Sequence, residues 1–137
     1  MEFVQDFWIM NSGGVTLFWF SLKESDDNIL VGSFLTAIKN YIENLQGEKL
    51  TSIVFGNSKL TILHGEKDLF FVVRTPKAIK ENYIRKLLKT IEKQFMAEYG
   101  DRISNWDGNV HVFKNFKKVV LDIFSNIPIK RIKDSLW

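Results

Sequence analysis

Residues Lys59 to Val73 read KLTILHGEKDLFFVV, and that run decides the fold. From Leu69 to Val73 every position is apolar. A strand with one wet face alternates, whereas a strand with none needs cover on both sides. Leu69 to Arg74 is therefore predicted to lie in the middle of a sheet. Lys59 to His64 reads as a second short strand. Gly65-Glu66-Lys67-Asp68 between them is turn chemistry, so the two are predicted to be antiparallel neighbours.

Upstream, Gly56-Asn57-Ser58 is another turn and Leu50 to Phe55 a third strand, which completes a meander. Earlier still, Phe3 to Met10 and Val15 to Phe20 both suit strands. Asn11-Ser12-Gly13-Gly14 joins them as a hairpin, because Gly accepts positive φ without steric cost. Lys23 to Asn28 is a polar loop ending in N-cap residues. After it, Leu30, Val31, Phe34, Leu35, Ile38, Ile42 and Leu45 recur at three- and four-residue steps, so a helix is predicted with Gly47 just past its end.

Downstream, Thr75-Pro76 is predicted to open a long helix, with Pro near its first position. Ile84, Leu87, Leu88, Ile91, Phe95 and Tyr99 form its apolar stripe, and Gly100 is expected to end it. A polar stretch from Asp101 to Asn109 leads to a last helix carrying Val112, Phe113, Phe116, Val119, Val120, Ile123 and Phe124. Pro128 is expected to stop it. The order is β-β-α-β-β-β-α-α, an α+β fold. One domain, residues 1–126, is expected to carry one helix on one face of a five-stranded antiparallel-mixed sheet and two on the other. Residues 127–137 form a short tail, expected to fray unless something binds it.

The 137-residue length fits one domain, and its 12 Phe and 4 Trp are enough to build a core without staples. There is no Cys, which excludes disulfides and thiolate chemistry and permits a reducing compartment. No apolar run approaches the ~20 residues of a membrane span. Met1 to Met10 carries Glu2 and Asp6 and no basic segment, so it does not read as a signal peptide. A cytoplasmic location is the simplest expectation. The net charge of +3 is too small to argue for nucleic acid.

Chemistry is sparse. His64 and His111 have no partner at metal-ligand spacing, so no metal is expected. No nucleophile elbow or phosphate-binding lysine loop occurs, and Gly13-Gly14 precedes a strand rather than a helix. Asp26-Asp27 suits helix capping better than calcium. No enzyme, and no cofactor, is expected.

Three segments carry a family resemblance: DFWIMNSGGVTLFWF (Asp6 to Phe20), KLTILHGEKDLFFVV (Lys59 to Val73) and ENYIRKLLKTIEKQFMAEY (Glu81 to Tyr99). With the element order, they resemble the longin (SNARE-like) family. Within it they look most like the N-terminal longin domains of signal recognition particle receptor alpha subunits. The resemblance covers roughly residues 3–125, nearly the whole sequence; unlike in those receptors, no GTPase domain is expected to follow. Roadblock and profilin-like folds are the competing shapes.

The resemblance implies a protein-binding role in trafficking or membrane targeting, with a small GTPase or a longin or roadblock subunit as partner. A homodimer through the same surface is also open. It further implies that the second and third strands form the sheet edges. Binding would then fall on the first helix (Phe34, Ile38, Tyr41, Ile42) and the third strand (Thr51, Ile53, Phe55). For Phe34 and Ile38 a plain core role is the simpler reading. Arg85, Lys86, Lys89 and Lys93 fall opposite the apolar stripe of the long helix. They form either a solvated face or a contact for an acidic partner or anionic lipid, with peripheral membrane contact as a corollary. Aromatics do not interleave with them, so no nucleic-acid contact is expected. The alternative function is a small-molecule sensor, which would need an apolar pocket with convergent polar groups.

Overall fold

Alternation along the strands explains how one sheet can own two cores. The structure is a computed structural model that describes residues 4–21 and 50–125, together with Ala37, Asn40 and Asn44. Five strands, β1 (Asp6–Asn11), β2 (Thr16–Ser21), β3 (Ser52–Phe55), β4 (Ser58–His64) and β5 (Leu69–Pro76), precede helix α1 (Glu81–Ser104). A 3-10 turn (Val110–Phe113) and helix α2 (Phe116–Ser125) follow. The strands form one sheet in the order β2-β1-β5-β4-β3. All four pairings are antiparallel. The all-apolar strand β5 is central, and Leu69 to Val73 are buried on both faces.

On one face, Phe7, Ile9, Leu63, Phe71 and Val73 pack with Ile84, Leu88, Ile91 and Phe95 of α1 and with Phe116, Val120 and Phe124 of α2. Among the described residues eight phenylalanines belong to this core, which is where much of the aromatic excess of the sequence goes. Each fully buried Phe contributes about 1.5–3 kcal/mol. The stripe read from the sequence is the buried one, except that Leu87 is only partly buried. On the opposite face, Trp8, Met10, Leu60, Ile62, Phe70 and Val72 form a second core, with Leu50 and Ile53 packed against it. The helix predicted over 30–45 was expected to cover that face. Apart from Ala37, Asn40 and Asn44, which are helical, it lies outside the described residues, as do Asp26-Asp27, Gly47, Pro128 and the tail.

The first hairpin forms where predicted. Gly14 has φ 89°, and the Asn11 side chain accepts from the Val15 N–H at 3.0 Å. Past it, Ile9 pairs with Phe18 but Met10 with Thr16, so Leu17 is a bulged residue with no opposite number on β1. The bulge sends both Leu17 and Phe18 into the core on the α1 and α2 side.

Two helix boundaries differ from the sequence reading. Thr75-Pro76 does not open α1; the two residues extend β5, opposite Lys59 and Ser58. A residue before Pro is pushed out of the helical region, which keeps Thr75 extended. The helix starts five residues after Pro76, at Glu81. Nor does Gly100 end it: Gly100 is buried inside α1, and the helix runs on to Ser104. Its φ is not positive, so the end signal that Gly normally carries is absent. The Lys67 ammonium instead donates to the Gly100 carbonyl at 2.7 Å and also meets the Ser104 hydroxyl. The same β4–β5 turn is held from a second point, where Glu92 accepts from the Glu66 N–H at 2.9 Å. A side chain on Gly65 would run into that carboxylate and the Phe71 ring, so the close approach requires glycine there. The last predicted helix is two pieces, the 3-10 turn and α2, with the Asn109 side chain capping the first at His111 N–H.

Candidate functional site

Edge strand β3 is short, and α1 fixes its start. Thr51 is exposed, yet its carbonyl accepts twice at 2.9 Å, from the Ile62 N–H and from the Arg85 guanidinium. Arg85 also donates to the Ile62 carbonyl at 2.9 Å. One guanidinium thus spans the β3–β4 ladder, as its fork of donors allows. This corrects the sequence reading of Arg85. It is half-buried against the sheet rather than presented to solvent, because its long stem lets it reach past the α1 stripe. Lys86, Lys89 and Lys93 are exposed as expected.

Removing the clamp should free the strand. Arg85→Ala is expected to cost about 1.5–3 kcal/mol, the scale of hydrogen bonds to a charged group. Hydrogen exchange of the Ser52–Phe55 amides should accelerate ahead of the rest of the sheet. Exchange that stays unchanged there would return Arg85 to the solvated face.

Of the predicted strand residues, Ile53 points into the second core, partly buried beside Leu60. Its neighbour Val54 turns the other way and is 60% exposed, the most exposed large apolar side chain among the described residues. Phe55 pairs with Ser58 at the turn. Phe34, Ile38, Tyr41 and Ile42 lie outside the described residues. Alternation alone separates Val54 from Ile53, a signal the sequence reading left unused. Among the described residues β4 is the only strand paired with β3.

The other edge, β2, carries a groove the sequence reading did not find. It has a volume of about 300 Å³, with Phe18, Trp19 and Val110 among its apolar lining and His111, Lys114 and Lys117 at its rim. Trp19 is 43% exposed, while Phe18 and Phe20 on the opposite side of the strand are buried.

Titratable chemistry is thin. Among the described residues no three His, Cys, Asp or Glu side chains gather where they could hold a metal ion. His64 ends β4 with Nε2 donating to the Leu50 carbonyl at 2.7 Å, a structural tie. Burial raises the Tyr99 phenol above its ordinary 10.0, and the adjacent Glu98 carboxylate pushes the same way, which keeps the ring a neutral part of the aromatic core. The buried Lys59 ammonium donates to the Ile79 carbonyl at 2.6 Å, tying β4 to the turn before α1. Among the described residues no helix is long and apolar enough to cross a membrane.

No family model matches the chain, and no curated protein matches it in sequence.

Proposed function

We propose that this chain is a non-enzymatic, longin-type interaction domain. Its partner, a small GTPase or a second longin or roadblock subunit in trafficking or membrane targeting, adds to the sheet at β3. The observation that carries this reading is Val54, 60% exposed on an edge strand held in place by Arg85. An unpaired edge offers backbone donors and acceptors that another strand can complete, and an apolar side chain beside it offers burial. The strand order, with β2 and β3 outermost, agrees with the sheet edges that the longin resemblance implies. Lys86, Lys89 and Lys93 would meet an acidic partner or an anionic membrane surface in a cytoplasmic setting. A homodimer through β3 would use the same chemistry.

The alternative is a small-molecule sensor, and the β2 groove is where it would bind. At about 300 Å³ the groove sits at the bottom of the range of ligand pockets, roughly 300–1,000 Å³, which favours the protein-binding reading.

The test is a pull-down from native lysate with the wild-type chain and the Val54→Arg variant, paired with light scattering on both. Wild type is expected to retain a GTPase, longin or roadblock protein, or to run as a dimer. Val54→Arg should weaken that association about tenfold without altering the melt, because a charge placed on an edge blocks pairing. A monomer that retains no protein partner would sink the reading.

A further inference from the structure

The β2 edge is built differently from the β3 edge, and it points to a second partner chemistry. Natural edge strands are blunted by Lys, Pro, shortness or inward charge. β2 reads TLFWFS over six residues and has none of these along its length. Its one irregularity, the bulge at Leu17, lies near its start and leaves Phe18 to Ser21 in regular register with β1. Among the described residues β1 is its only strand partner. Alongside it the 3-10 turn and the start of α2 form the other wall of the groove.

The walls are chemically sorted. The apolar lining includes Phe18 and Val110, and Trp19 of the edge strand also contributes to it. The rim is cationic: Lys114 and Lys117 are exposed beside His111, and Lys118 is exposed next to them. Among the described residues none of these lysines has a carboxylate partner. The nearby Asp107 carboxylate is turned to the Asn109 N–H at 2.9 Å. An uncompensated cationic rim opposes a second copy of the same edge, since like charges would meet, and it suits a partner of opposite sign.

We propose that this groove binds an extended acidic peptide segment of a protein partner, which adds as a strand beside β2. Its backbone pairs with the outward donors and acceptors of β2. Alternate side chains drop onto Phe18 and Val110, and its carboxylates reach Lys114 and Lys117. The site is separate from β3 and does not depend on the reading given for that edge.

The test uses the full chain and a fluorescein-labelled octapeptide, EEVLDLEE, followed by anisotropy and by hydrogen exchange. Saturable binding is expected, with slowed exchange in Thr16–Ser21. The double variant Lys114→Glu, Lys117→Glu should weaken it on the order of tenfold or more, and raised salt should weaken it too. The control Lys89→Glu, Lys93→Glu on α1 should bind as wild type does, and the basic peptide KKVLKLKK should not bind. The proposal is overturned by absence of saturable binding, by unchanged exchange in β2, or by equal loss in the α1 control. It is equally overturned if phosphatidylserine vesicles bind through Lys114 and Lys117 while the peptide does not. None of these results bears on the β3 pull-down.

Discussion

Phe95→Ala is expected to cost about 3–5 kcal/mol, the range for truncating a fully buried aromatic. Phe95 is 0% exposed, and its ring meets four others: Phe71 of the sheet at 6.0 Å, Tyr99 at 5.1 Å, Phe113 of the 3-10 turn at 5.5 Å and Phe116 of α2 at 5.1 Å. Tyr99 sits one turn along α1 and cannot fill the space without leaving Phe113 and Phe116, which it also touches. The cavity therefore stays open, and the loss exceeds simple transfer of the side chain. A domain of this size holds only about 5–15 kcal/mol in all, so the melt should fall on the order of 10–20 °C. Because the ring joins α1 to three other elements, the 3-10 turn and α2 should loosen first, and the β2 groove they wall should lose its shape with them. Thermal melts and hydrogen exchange check both statements. A fall of less than about 1 kcal/mol would mean that the core collapses freely around the missing ring, against the close packing of these aromatics.

What the sequence reveals about this protein follows the periods it is written in. The meander was legible because Gly65 to Asp68 is turn chemistry and Leu69 to Val73 has no polar face, and neither feature depends on distant residues. The buried stripe of α1 was legible for the same reason. Its ends were not. Thr75-Pro76 satisfies the local rule for a helix start, but pairing with Lys59 and Ser58 across the sheet outweighs it. Gly100 satisfies the rule for a helix stop, but burial against the core and the reach of Lys67 keep it helical. Local signals propose a boundary, and tertiary contacts decide it. Candidate site residues suffered in the same way. Arg85 faces away from the apolar stripe by periodicity, and only the length of its side chain brings it back to the Thr51 and Ile62 carbonyls. The groove beside β2 joins residues some ninety positions apart in sequence, which no spacing rule can bring together.

At the end of β1 nearest the start of the chain, Asp6 faces Arg74 of β5 as its cross-strand partner, with Nε to Oδ2 at 2.6 Å. The two are unequally buried: the carboxylate side chain is 3% exposed and the guanidinium 26%. That asymmetry predicts which substitution hurts more. Arg74→Leu strands a carboxylate in the sheet, and one of its oxygens, Oδ1, already has no hydrogen-bond partner. The cost should be about 3–5 kcal/mol, as for other buried pairs robbed of one member. Asp6→Leu leaves a guanidinium that can turn towards water, so about 1–3 kcal/mol is expected. The double variant removes both desolvated groups and should be no less stable than Asp6→Leu alone, so the two substitutions must be strongly non-additive. Denaturant unfolding of the four proteins gives the coupling directly. Raised salt should leave it nearly unchanged, because a buried pair is poorly screened. Additive costs would show that the two groups are solvated independently. The pair would then not lock β1 to β5, and β1, which among the described residues alone joins β2 to the rest of the sheet, would need another anchor at that end.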